Sequence, residues 1–117
     1  MQRLEILAHK LPDDSAVDIR KGLLLTFEPK PEHETEVAQF LRDARTIVED
    51  EPGTVSWFAL QFDDGRFGIF DVFPDNKSRL EHLTGGVPRE LVKHALSLLG
   101  ALPDMDRCDV YAAKVPS

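Results

Sequence analysis

The sequence predicts an α+β fold of the ferredoxin-like (split βαβ) plan, a four-stranded antiparallel sheet with helices on one face. Three observations predict it. Strand-like and helix-like segments run strand, helix, strand, strand, helix, strand from residue 23 onward. Asp63-Asp64-Gly65 separates two runs rich in aromatic and β-branched residues, the pattern of a hairpin. The chain's 117 residues, 42% hydrophobic and 30% charged, suffice for one core and one domain.

Each element has its own signal. Residues 1–20 read as an N-terminal extension ahead of a domain at 21–117. Within the extension Leu4, Ile6 and Ala8 alternate like a short strand or arm, and Pro12-Asp13-Asp14-Ser15 reads as a turn. Leu23-Leu24-Leu25-Thr26-Phe27 is apolar without alternation, as in a strand buried on both faces, and Glu28-Pro29 ends it. Pro29-Lys30-Pro31 then opens a helix, where missing N–H groups cost nothing. Glu32, Glu34 and Glu36 complement the positive end of its dipole. Val37, Phe40, Leu41, Ala44, Ile47 and Val48 share one face; Glu49-Asp50-Glu51 makes a solvated end, and Pro52-Gly53 stops the helix.

In the hairpin, Val55, Trp57 and Ala59 oppose Phe58, Leu60 and Phe62, while Phe67, Ile69 and Phe73 oppose Phe70 and Val72. Both faces are apolar, so both need a cover. Asp75 is placed to cap a second helix with Leu80 and Leu83 inward. Gly85-Gly86 interrupts it and reads as a flexible cavity lid. Val87-Pro88 restarts a helix whose stripe is Leu91, Val92, Ala95, Leu98, Leu99 and Leu102, with Gly100 as its cap. Cys108 to Val115 reads as the last strand, with Cys108 a small core residue.

Charge and cysteine usage exclude several classes of function. Fourteen Lys+Arg against 21 Asp+Glu leave a net charge of −7, unsuited to a nucleic-acid partner. The acidity concentrates in residues 28–51, a solvated helix rather than a groove. One cysteine forms no internal disulfide, and no Cys/His cluster has zinc spacing. No apolar run approaches the roughly 20 residues of a membrane span. The start, Met-Gln-Arg-Leu-Glu-Ile, lacks the order of a secretion signal. The expectation is a cytoplasmic protein without membrane, metal or cofactor. Since helices cover one sheet face, a second copy of the chain is expected on the other, making a homodimer.

Glu51-Pro52-Gly53-Thr54, the hairpin strands, Gly68-Ile69-Phe70-Asp71, Phe73 and the helical Arg79…His82-Leu83 together resemble the antibiotic biosynthesis monooxygenase family. The resemblance spans roughly residues 21–115. It implies a dimeric α+β barrel with a ligand cavity between each subunit's sheet and helices. Members of that family include cofactor-independent oxygenases of aromatic polyketides, haem-degrading enzymes and signal-molecule enzymes. The haem-degrading branch relies on a strand-one asparagine, a late strand-three tryptophan and a helical histidine. Leu25, Phe73 and His82 stand at those positions, one match in three, so haem is not an expected ligand.

The candidate catalytic residues are His82 and Asp71. His82 matches the family's helical histidine and can exchange a proton near neutral pH. Asp71 is an acid inside an apolar strand, placed either to act as acid or base, or to orient His82 or Arg79. The alternative sets it at the sheet's rim against a surface base. Trp57, Phe70 and Phe73 are the candidate walls for a small apolar or aromatic ligand, with core or interface packing as the alternative. His9, His33 and His94 lack metal spacing and are expected in solvent. The function expected is monooxygenase-like, by substrate deprotonation and reaction of the carbanion with oxygen. The alternatives are a non-catalytic dimeric binding protein and a non-oxidative isomerase.

Overall fold

Eight elements follow in order: β1 (Leu4–Lys10), β2 (Lys21–Phe27), α1 (Glu34–Val48), β3 (Ser56–Phe62), β4 (Phe67–Phe73), α2 (Asn76–Leu83), α3 (Gly86–Leu98) and β5 (Asp104–Asp109). The structure, a computed structural model, describes residues 3–12 and 18–114, the side chains of 95 and 96 aside. The turn expected at Pro12-Asp13-Asp14-Ser15, beyond Pro12, and the side chain of Ala95 fall outside the described residues, and the strand expected at Cys108 to Val115 ends at Asp109.

The strands form one antiparallel sheet in the order β1-β3-β4-β2-β5, with the helices on one face. It has five strands rather than four. Residues 4–10 pair along β3 from Leu4↔Phe62 to Lys10↔Trp57, with a bulge between Ile6 and Ala8. The extra strand satisfies the backbone groups of β3, which would otherwise be an apolar open edge. Between β3 and β4 the turn needs a residue at positive φ, which Gly65 supplies at 92°. No helix among the described residues is long and apolar enough to cross a membrane.

Register assigns the faces. Trp57 and Ala59 of β3, Phe67 and Ile69 of β4 and Phe27 of β2 pack with Val37, Leu41 and Val48 of α1 and Val87 and Leu91 of α3. Phe58, Phe70 and Leu24 sit in one row across the opposite face, flanked by Leu60, Phe62 and Val72.

Several boundaries and orientations differ from the sequence reading. The prolines precede α1 by three residues: His33 occupies the N-cap position, and Pro29 instead bridges to Leu99. Ile47 is exposed, at the margin of the α1 stripe. Leu80 is 62% exposed although it was expected inward. His82 takes the inward direction, and residues two apart on a helix point to nearly opposite sides. Val92 and Leu102 are likewise exposed, Leu102 because it lies beyond α3 in the loop to β5. The last strand begins four residues earlier than the apolar pattern suggested. Its run of Asp-Met-Asp-Arg-Cys-Asp is an exposed edge paired to β2, so no burial pattern marks it. Cys108 is half-buried there rather than in the core. Gly86 is no lid: it begins α3, and a Cβ on it would stand 2.6 Å from Cγ2 of Ile47 on α1.

Candidate functional site

Asp71 reaches the helix side by the alternation of β4, between Leu23 on β2 and Trp57 on β3. His82 meets it from the last turn of α2. That helix is set by Asp75, whose Oδ1 accepts the Ser78 N–H at 2.8 Å. Arg79 fixes the other side of α2, donating to the carbonyls of Gly22 and Cys108. The third member, Glu51, follows the end of α1. Lys10 of β1 donates to the carbonyls of Val48 (3.2 Å) and Glu51 (2.7 Å), pinning that turn.

The three side chains form a row. His82 Nδ1 lies 2.6 Å from Oε1 of Glu51, and Nε2 lies 2.8 Å from Oδ2 of Asp71. Thr54 donates its hydroxyl to the same Glu51 oxygen at 3.1 Å. Asp71 is 1% exposed and His82 4%, so this is a buried ion pair with a second carboxylate behind it. Burial alone would strip the imidazole of its charge. Asp71 and Glu51 outweigh that effect and push the His82 pKa up from 6.5 to about 9. Burial also raises the Asp71 pKa, an effect that His82 opposes. The result is an imidazolium held between acceptors and a carboxylate more basic than usual, the kind of group suited to taking a proton.

On one side of the row is a cavity of about 230 Å³ between β2, β4, β5 and the helices α2 and α3. Leu23, Leu25, Ile69, Leu83, Leu91 and Met105 make most of its wall, and Asp71 and His82 are the polar side chains in it. Asp71 Oδ1 has no hydrogen-bond partner in the structure. On the far side of His82 a polar surface cleft is lined by Asp50, Glu51, Thr54, Ser78 and Glu81.

Of the residues picked from sequence, the structure brings Asp71 and His82 together and excludes the rim position and the Arg79 partnership for Asp71. Trp57 and Phe73 are fully buried behind the cavity and do not line it; the Phe73 ring tilts against His82 at 5.3 Å between centroids. Phe70 points to the opposite face of the sheet, because alternation separates it from Asp71. His9 is exposed, His33 pairs with Glu36 and His94 packs edge-on to Phe40, all away from the site. Among the described residues no cluster of His, Cys, Asp or Glu has the makings of a metal site.

Glu51, Thr54 and Lys10 were missed. Glu51 ended an acidic run and was read as solvated, yet its side chain is only 21% exposed. The available signal was the Pro52-Gly53 turn immediately after it, which turns Glu51 back toward α2.

No family model matches the sequence, and no curated protein does. Among solved structures, a protein of unknown function from Nitrosomonas europaea is 36% identical, with a TM-score of 0.82 over 85% of this chain and 96% of that one. A protein from Chloroflexus aurantiacus, provisionally named an antibiotic biosynthesis monooxygenase, is 15% identical, with a TM-score of 0.64 over 81% of this chain and 96% of that one. A provisionally named monooxygenase from Lactobacillus acidophilus is 13% identical, with a TM-score of 0.72 over 92% of this chain; the chain spans half of that protein's length. The latter two share the fold. The extent and identity of the first match go further, and the chain belongs to the same family as the Nitrosomonas europaea protein.

Proposed function

We propose that this protein is an enzyme of the antibiotic biosynthesis monooxygenase type that oxidises a small apolar or aromatic molecule with molecular oxygen and no cofactor. One observation carries the reading: a buried carboxylate, paired with an imidazolium, stands in the wall of an otherwise apolar cavity. The likeness in fold to the proteins named as monooxygenases supports it.

In this reading Asp71 is the base and His82 the group that steadies its charge. Asp71 takes a proton from an activated carbon of the substrate, leaving a carbanion delocalised into a ring. The carbanion attacks oxygen to form a peroxide anion, which recovers the proton from Asp71. Loss of water from the hydroperoxide leaves a carbonyl. A CH2 group and O2 thus become C=O and H2O, with oxygen as the four-electron acceptor. Low polarity around Asp71 strengthens each electrostatic interaction at the reacting atoms.

Oxygen uptake with one- and two-ring hydroxylated aromatics tests the reading. The expected result is one O2 consumed per carbonyl formed, and at least a hundredfold lower rate for Asp71→Asn. Turnover without oxygen uptake would indicate an isomerase, and ligand-induced stabilisation without product a binding protein.

We also propose a homodimer. Phe58, Phe62, Phe70 and Leu24 are only half-buried on the face that no helix among the described residues covers. Light scattering is expected to give twice the chain mass; a monomer at micromolar concentration would exclude it.

A further inference from the structure

We propose that Lys10, at the end of the N-terminal strand β1, is a positioning residue of the candidate site: it holds Glu51 against His82. Its effect on the charge of His82 rests on geometry alone; its effect on turnover rests on the proposed function. The register of β1 is the first observation. Ile6 pairs with Leu60 and is 55% exposed on the sheet face away from the helices. Strict alternation would send Ala8 and Lys10 to that face as well. The bulge between Ile6 and Ala8 reverses the alternation, so that Ala8 pairs with Ala59 and Lys10 with Trp57, on the helix side. Lys10, Trp57 and Asp71 thus stand in one row across β1, β3 and β4.

The end of α1 is the second. Glu49, Asp50 and Glu51 place carboxylates at the negative end of the helix dipole, and no glycine closes the helix: Glu49 keeps a right-handed conformation at the C-cap. Lys10 brings a cation to that end. Its ammonium donates to the carbonyls of Val48, at 3.2 Å, and Glu51, at 2.7 Å. The shorter bond falls on the residue whose Oε1 lies 2.6 Å from His82 Nδ1. Glu51 also donates its N–H to Val48 and accepts the N–H and hydroxyl of Thr54. Those contacts are local to the turn, whereas Lys10 ties the turn to the sheet.

Charge separates positioning from mere proximity. The groups facing His82 are Asp71 from β4 and Glu51 and Thr54 from the turn between α1 and β3, with Asp50 and Glu81 in the cleft beyond. Glu51 is one of the two carboxylates that favour the charged ring. An ammonium acting only through space would disfavour it, so removing that ammonium would tighten the proton on His82. An ammonium that holds Glu51 in place does the opposite: its removal frees the carboxylate and loosens the proton. The two effects differ in sign.

NMR titration of the His82 ring in the full chain reads that sign, with His94 on α3 as the internal reference. Lys10→Met is expected to weaken proton binding at His82 roughly threefold or more, lowering its midpoint from about 9. Lys10→Arg should restore it, and His94 should not move. In a Glu51→Gln background Lys10→Met should have no further effect, because the carboxylate it positions is gone. Lys10→Gln, too short to hold both carbonyls, gives the same reading should Lys10→Met not fold. An unmoved or tighter proton on His82, or an equal loss in the Glu51→Gln background, would overturn the inference. Oxygen uptake with the hydroxylated aromatics is the separate arm. In Lys10→Met its alkaline limb should move to lower pH with KM unchanged, since Lys10 does not line the cavity. A shifted His82 without a shifted oxygen-uptake profile, or no oxygen uptake at all, would count against the proposed oxidation and leave the positioning by Lys10 standing.

Discussion

The two halves of the helix-covered sheet face are built differently. Over β1, β3 and the start of β4 the long helix α1 lays down Val37, Leu41, Ala44 and Val48 against Trp57 and Phe67, and all six are buried. Over β2 and β5 the cover is α2 and α3, which meet at Gly85 and Gly86, and the space between them and the sheet is left open. The first half buries its apolar side chains against one another; the second keeps a cavity with a carboxylate in its wall. On the proposed function, stability is concentrated in one half and ligand chemistry in the other.

Unequal truncation costs would show this most directly. Leu41→Ala, at a site with no exposure, is expected to cost about 3 to 4 kcal/mol, because the tightly packed neighbours cannot collapse onto the gap. Met105→Ala, in a cavity wall that is already partly empty, is expected to cost about 1 kcal/mol or less. Urea denaturation of both variants measures the difference. Similar losses would mean that the two halves are packed alike.

The next contrast is in pH. The His82 pKa in the folded chain is about 9 against an ordinary 6.5. A raised folded pKa contributes stability that is fully present below pH 6.5 and lost as the pH rises through 9. Asp71, also raised by burial, acts in the same direction. The folded chain should therefore lose up to about 3 kcal/mol between pH 6.5 and 9. His82→Gln should remove most of that slope, and Glu51→Gln should move its midpoint downward, while Leu41→Ala should leave its shape unchanged. Denaturant midpoints across that range check all three. A slope unaltered in His82→Gln would place the titrating group elsewhere.

The filled half was the more legible in the sequence, for a physical reason. Packing imposes a period: the α1 stripe, the hairpin around Gly65 and the cap at Asp75 all follow local rules that a single sequence displays. The β1 and β5 edges obey no such rule. β5 is charged and exposed along most of its length, and β1 is recognisable only through its pairing with β3. At the site, His82 and Asp71 could be picked out because each is a polar residue among apolar neighbours. Their partnership with Glu51 spans 31 residues of sequence and depends on how α2 rotates. The same rotation turned Leu80 out. Trp57, Phe70 and Phe73 were grouped by their aromatic character, but the strand alternation divides them between two faces, and only register decides which face meets a helix.

Filling the cavity should have the smallest effect on stability and a large effect on binding. Leu25 lies in its wall on β2, partly buried against the core. Leu25→Phe adds volume to a space that is already vacant, so the strain of overpacking, about 1 to 3 kcal/mol in a filled core, should not arise. Stability is expected to change by about 1 kcal/mol or less, in either direction, with the pH slope of His82 retained. Binding and turnover of the one- and two-ring hydroxylated aromatics should be lost, since the added ring occupies the same volume. The combination is the informative result: a variant that folds normally, titrates normally and no longer binds would show that the open space, and not the carboxylate alone, makes the site. Retained binding would mean that the ligand reaches Asp71 from outside the cavity.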